Sequence, residues 1–228
     1  MSFADKVIAF NTSLAFTDEL PAGIRIMNPF RENSHALEIS SAFYKKFYDD
    51  DLPRKLILGI NPGRFGGGVT GIPFTDTKRL QNDCGIAWPA AETHEPSSAF
   101  IYEMIAAYGG PEKFYRQFYI HSICPLGFTV AKPGGKEVNY NYYDSKELTG
   151  AVNDFMIEST NIQLGFGVNR DKVYCLGMGK NEKYISKLNN ENHFFERLIP
   201  LAHPRFIMQY KAKMKEDYIQ EYLEAFES

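Results

Sequence analysis

The stretch 59–74, GINPGRFGGGVTGIPF, holds the densest group of residues in the chain whose types and spacing suit chemistry. Asn61 sets a polar amide at the start of an Asn-Pro-Gly turn. Gly63, Gly66, Gly67 and Gly68 carry no side chain, so the backbone there can come close to a flat ligand or a phosphate. A P-loop is not indicated, because neither a Gly-Lys-Ser/Thr ending nor a GxGxxG register is present. Near the other end of the chain, LAHPRF sets His203 beside Pro204. An imidazole can stabilise negative charge forming on a leaving group near neutral pH. Both features also have ordinary readings, as a glycine-rich turn and as a surface or core histidine. No Ser-His-Asp or Cys-His pattern accompanies them, and Cys124 followed by Pro125 reads as packing rather than as a nucleophile.

The elements that must hold these residues follow from periodicity. Apolar runs at 55–60, 118–124, 172–177 and 196–202 read as four buried strands. Helical spacing predicts helices at 34–48, 97–108, 147–163 and 180–190, and a long one from about 205 to 226. Strands separated by helices imply right-handed crossovers and a parallel sheet covered on both faces. The expected architecture is a three-layer α/β/α sandwich with a central, mainly parallel four-stranded sheet, formed as one domain over 1–228, with 1–50 as helical packing. Ligands of such sheets bind beyond the carboxyl ends of the strands. That rule brings together residues 61–74, 122–129, 177–180 and 203–206.

The wording of these segments carries a resemblance. GINPGRFGGGVTGIPF resembles the first motif of the uracil-DNA glycosylase superfamily, in its single-strand-selective monofunctional branch, Gly-x-Asn-Pro-Gly-x-Phe-Gly followed by Thr-Gly-x-Pro-Phe. IHSICPL at 120–126 is similar to the strand that usually reads His-Asn-x-Cys-Pro-Leu, and LAHPRF resembles a shortened His-Pro-Ser-Pro-Arg motif. The resemblance runs in order from about residue 55 to 210. It implies a monofunctional DNA glycosylase that flips a deaminated base out of DNA and hydrolyses its N-glycosidic bond to leave an abasic site. By the same resemblance Asn61 positions the attacking water and His203 stabilises the departing base. Ile60, Gly63, Phe74 and Ser122 hold the base: Gly63 leaves room beside it, and Phe74 is its stacking platform. Arg205, in the motif, is implied to contact DNA. Arg64, Lys132, Lys136, Lys211, Lys213 and Lys215, in or just after the loops at the site edge, are further DNA-contacting candidates by position and composition. The loop with Lys132 and Lys136 also has the ordinary reading of a solvated surface. No Lys in these motifs offers a Schiff base, and position 61 lacks the Asp or Glu that a more efficient branch of the superfamily carries there.

Ser122 departs from the pattern. Uracil-selective relatives carry Asn here, whose amide reads the uracil edge with two hydrogen bonds, whereas Ser has one hydroxyl. The expectation is broader selectivity, with hypoxanthine or xanthine beside uracil. His121 is expected to point to the opposite face and pack there. Two alternatives stay open, a weakly active or inactive nucleobase-binding module of the same fold and a hydrolase of free nucleosides.

Composition limits the partners. The 228 residues are 44% hydrophobic and 23% charged with net charge −3, which suits a folded globular chain and excludes a basic nucleic-acid coat. No apolar run approaches the roughly 18 residues that span a bilayer, so no membrane is expected. The start MSFADKVIAF does not read as a secretion signal. Cys84, Cys124 and Cys175 lie tens of residues apart, lack metal-site spacing and suit a reducing cytoplasm. No metal or organic cofactor is implied, and a cytoplasmic monomer acting on DNA with a deaminated base is expected. The run Asp49, Asp50 and Asp51 precedes the first strand, away from the proposed site.

Overall fold

The computed structural model describes residues 1–227. Chain order is α1 (Phe3–Ser13), β1 (Ile24–Met27), α2 (Pro29–Glu32), α3 (Ala36–Tyr48) and β2 (Arg54–Gly59). Next come α4 (Gly67–Thr70), α5 (Thr77–Asn82), α6 (Pro96–Tyr108), α7 (Pro111–Gln117) and β3 (Phe118–Ser122). The hairpin β4 (Gly127–Ala131) and β5 (Glu137–Tyr140) precedes α8 (Lys146–Leu164), β6 (Val168–Leu176) and α9 (Lys180–Asn192). The chain closes with β7 (Arg197–Leu201), α10 (Pro204–Tyr210), a 3-10 turn (Ala212–Met214) and α11 (Lys215–Glu227).

The four apolar runs pair as one parallel sheet in the order β3-β2-β6-β7. The central and neighbouring strands β2 and β3 are buried on both faces, as is the carboxyl half of β6, and this explains why they read as continuous apolar runs rather than as alternation. Neighbouring residues of β3 point to opposite faces and reveal the two helical layers. Tyr119 meets Phe3 of α1 at 5.1 Å between ring centroids, and Phe118 meets Phe226 of α11 at 4.5 Å. The fold is therefore α/β, with a four-stranded parallel sheet flanked by helices.

At the amino ends of the strands a buried cation ties the layers together. Arg54, fully buried, donates from Nη1 and Nη2 to Asp50 and from Nε to the Tyr115 carbonyl. Its guanidinium lies 4.8 and 4.9 Å from the ring centroids of Phe3 and Tyr48. Asp49 is bound by Ser2 and Lys45. Asp49 and Asp50 are thus paired locally at the end of the sheet opposite the strand carboxyl ends.

Two expectations need correction. Residues 1–50 are not wholly helical, because Ile24–Met27 forms β1 and pairs antiparallel with β4, which pairs in turn with β5. The Lys-Pro-Gly-Gly-Lys stretch is the turn of that β4–β5 hairpin, closed by Lys132 N–H donating to the Lys136 carbonyl at 2.8 Å. The long helix over 205–226 is two helices, broken at the 3-10 turn. Lys211 and Lys213 lie at that break, while Lys215 starts α11 and pairs with Glu103 of α6.

Candidate active site

The loops after β2, β3, β6 and β7 meet around a cavity of about 690 Å³, in the range of small-ligand sites. Ile60, Asn61, Gly63, Phe74, Ser122, His203 and Arg205 all line it. Arg64, Lys132 and Lys136 do not. Arg64 lies next to the cavity with its guanidinium 4.2 Å from the centroid of the exposed Phe65 ring. The two lysines are exposed at the hairpin turn.

Parallel pairing fixes the floor. Gly59 sits opposite Ser122 in the β2–β3 register, and the pairing runs on past the strands. Ile123 N–H donates to the Gly59 carbonyl at 3.0 Å and Cys124 N–H to the Ile60 carbonyl at 3.1 Å. Ser122 is therefore held on a rigid ledge beside the Asn-Pro-Gly turn.

The Asn61 amide is fixed on both sides. Its Nδ2 donates to the Tyr140 carbonyl at 3.2 Å, and its Oδ1 accepts from Tyr142 N–H at 3.1 Å. One lone pair of Oδ1 remains for a further donor. Tyr142 extends the network, donating from its hydroxyl to Asn181 Oδ1 at 2.8 Å, and Asn181 donates to the Leu176 carbonyl at 3.0 Å. A hydrogen-bonded chain thus couples the loop after β2 to the loop after β6. Sequence reading missed Tyr142 and Asn181, since neither belongs to a short motif.

Phe74 has φ +51°, in the left-handed region that side chains other than glycine seldom adopt. Thr70 stabilises the turn that imposes it, donating to the Thr75 carbonyl at 2.7 Å and accepting from Ile72 N–H at 3.1 Å. The ring stands over the end of β2, where a Cβ on Gly59 would lie 2.7 Å from Phe74 Cε2. Its centroid is 5.6 Å from that of His203. The flat surface and the imidazole, far apart in sequence, are neighbours.

His203 caps α10, its Nδ1 accepting from Arg205 N–H at 3.1 Å. That bond leaves the proton of a neutral ring on Nε2. Burial, helped by the nearby Arg205 charge, lowers the ring to about 4, so it is neutral at pH 7 and presents an N–H donor. His121, by contrast, packs edge-on against Phe10 of α1 and bonds the Ser122 carbonyl at 3.0 Å, away from this chemistry. Burial raises the thiols of Cys84, Cys124 and Cys175 to about 12, which makes all three poor nucleophiles.

Glu95, which sequence reading did not single out, enters the cavity from the N-cap of α6. A Cβ on Gly63 would run into its Oε1 and one on Gly66 into its Oε2, so the carboxyl occupies the notch those glycines leave. The space beside Gly63 is therefore filled by Glu95. At the cavity mouth, Phe206 and Tyr210 are 44% and 67% exposed, with their rings 5.7 Å apart, and Met178 is 65% exposed across from them. Arg205 and Lys180 stand on the same rim.

Comparison with known proteins identifies the family. The pattern of the uracil DNA glycosylase superfamily matches residues 45–227. Single-strand selective monofunctional uracil DNA glycosylases of Mus musculus and Bos taurus are each 29% identical over 36% of this chain. The one from Rattus norvegicus is 30% identical over 36% of the chain. The match spans about a third of the length of these relatives, 35% in the mouse protein. A crystal structure of wild-type Pedobacter heparinus SMUG2 is 58% identical, with TM-score 0.98 over 100% of this chain and 97% of that one. With the matched pattern covering most of its length, the chain belongs to the uracil DNA glycosylase superfamily.

Proposed function

We propose that this protein is a monofunctional DNA glycosylase that hydrolyses the N-glycosidic bond of uracil, and of deaminated purines, flipped out of DNA. The observation that carries the reading is the convergence of Asn61, Phe74 and His203 on one cavity at the carboxyl edge of the sheet. A base inside a duplex is out of reach until it is extruded, at a cost of about a few kcal/mol. Stacking on an aromatic ring such as Phe74 returns roughly 1–3 kcal/mol. As the C1′–N bond breaks, the electron pair leaves with the base, and the Nε2–H of neutral His203 donates to the resulting anion. Asn61, its amide held by Tyr140 and Tyr142, offers its remaining lone pair to orient the attacking water. Arg205, Arg64 and Lys180 at the rim, with Lys132 and Lys136 on the hairpin, contact phosphates. Phe206 and Tyr210 cover the bases flanking the extruded one.

Ser122 sets the breadth of the reaction. Its single hydroxyl makes one hydrogen bond to a base edge where an amide makes two, so uracil and hypoxanthine are held on similar terms. The test is base release from single-stranded oligonucleotides carrying one uracil or one hypoxanthine, read as strand scission by alkali. Wild type is expected to process both, and Ser122→Asn to shift the ratio toward uracil by about tenfold, the worth of one hydrogen bond. Release of uracil alone, with a ratio unmoved by Ser122→Asn, would remove Ser122 from selectivity. Release of neither base would overturn the glycosylase reading.

A further inference from the structure

Hydrolysis leaves one requirement unmet by the residues described so far. The attacking water must lose a proton as its oxygen bonds to C1′, and an Asn amide cannot accept it. Asp144, a second carboxylate lining the cavity, is exposed to solvent. Glu95 is placed differently. It is carried on the N-cap of α6 and lies against Gly63, two residues from Asn61. The carboxyl is poorly served there, with Ser98 Oγ donating to Oε2 at a long 3.4 Å. Its position is fixed by the backbone, since Glu95 N–H donates to Asp76 Oδ2 at 2.6 Å.

We propose that the Glu95 carboxylate, seated in the notch formed by Gly63 and Gly66, is the general base that takes a proton from the water oriented by Asn61. The proposal rests on the glycosylase reading and adds a catalytic residue to it. In the step, the water oxygen bonds to C1′, the C1′–N bond breaks with its electron pair leaving on the base, and the water proton passes to a Glu95 oxygen. No other reactant is needed. The carboxylate reaches the cavity from α6, so it serves where position 61 of the first motif has no acid of its own.

The surroundings favour a base that works near neutral pH. Desolvation, reinforced by the charge of Asp76, raises Glu95 to about 7, against the lowering effects of Ser98 and Arg205. Asp76 caps α5 and faces Arg79 and His94, while Arg205 approaches from α10 and Asn139 from β5. A carboxyl that is half proton-loaded near pH 7 is matched to proton transfer at that pH.

Single-turnover release of uracil from a single-uracil oligonucleotide, measured from pH 5 to 9, tests the assignment. For wild type the rate is expected to rise with pH and level above about 7. Glu95→Gln preserves the shape of the side chain and should be about 100-fold slower at pH 8, with the rise abolished. Glu95→Ala should regain rate on addition of formate, which fits the emptied notch, and the regained rate should depend on formate concentration. A purely structural Glu95 predicts a slower enzyme with the wild-type pH profile and no response to formate, and that result would overturn the proposal. So would Glu95→Gln with wild-type rate. If wild type releases no base at any pH, the glycosylase reading itself fails and this assignment falls with it.

Discussion

Single residues in this cavity serve chemistry and structure in different proportions. His203 makes one hydrogen bond to the backbone of its own helix, and its ring otherwise faces Phe74 and the cavity. Asn61 is tied to both Tyr140 and Tyr142. The two alanine variants should therefore differ. His203→Ala is expected to lower turnover by about 100-fold or more, because a donor aimed at developing charge is lost, with a stability loss of only about 0.5–1 kcal/mol from the missing α10 cap. Asn61→Ala should lower turnover comparably and also cost about 1–2 kcal/mol of stability, since a backbone donor and acceptor lose their partner. Oligonucleotide cleavage and denaturant melts on the same preparations separate the two losses. Asn61, His203 and Ser122 were legible in the sequence because each sits in a short motif at the end of an apolar run, and Phe74 because it closes the glycine-rich motif that follows one. Glu95 was not. Ser97 and Ser98 read as the caps of this helix, whereas the cap is Glu95, an uncommon N-cap, so no local signal places the carboxyl against glycines thirty residues earlier.

At the scale of elements, legibility followed burial. In the parallel sheet β2, β3 and the carboxyl half of β6 are buried, and continuous apolar runs declare them. The antiparallel sheet is different. Its β5, EVNY, is half-buried along its length, and β1, IRIM, pairs with residues a hundred positions away. Short, partly polar strands whose partners are distant leave little periodic signal. The break between α10 and α11 was hidden for another reason, since Lys211 to Lys215 contains no Gly or Pro to mark it. Arg54 shows how the elements are joined away from the cavity, linking β2 to α7 through the Tyr115 carbonyl and to α1 and α3 through stacked rings. Arg54→Met keeps much of the side-chain volume but strands the carbonyls of Tyr115 and Leu52. It is expected to cost about 3 kcal/mol in denaturant midpoint at constant m-value, with the folded fraction retaining wild-type turnover. A loss of turnover per folded molecule would show that the two ends of the sheet are coupled.

Over the whole molecule, the net charge of −3 conceals a polarity. Asp49 and Asp50 of the acidic run are paired with Lys45 and Arg54 at one end of the sheet, while Lys180 and Arg205 line the cavity at the other with Arg64 beside it. With Lys132 and Lys136 the footprint comes to a handful of cations. Binding to a single-stranded oligonucleotide is therefore expected to weaken with salt at a log–log slope of about −3 to −4. A slope steeper than about −7 would require a wider basic face than this molecule carries. The ledge that holds Ser122 also has a consequence for descent. The backbone there is pinned by β2 whatever side chain it carries, and one of the serine codon pairs differs from those of asparagine by a single G-to-A transition. Under the role proposed for Ser122, one point mutation, of the kind that cytosine deamination produces when left unrepaired, would revise the substrate range.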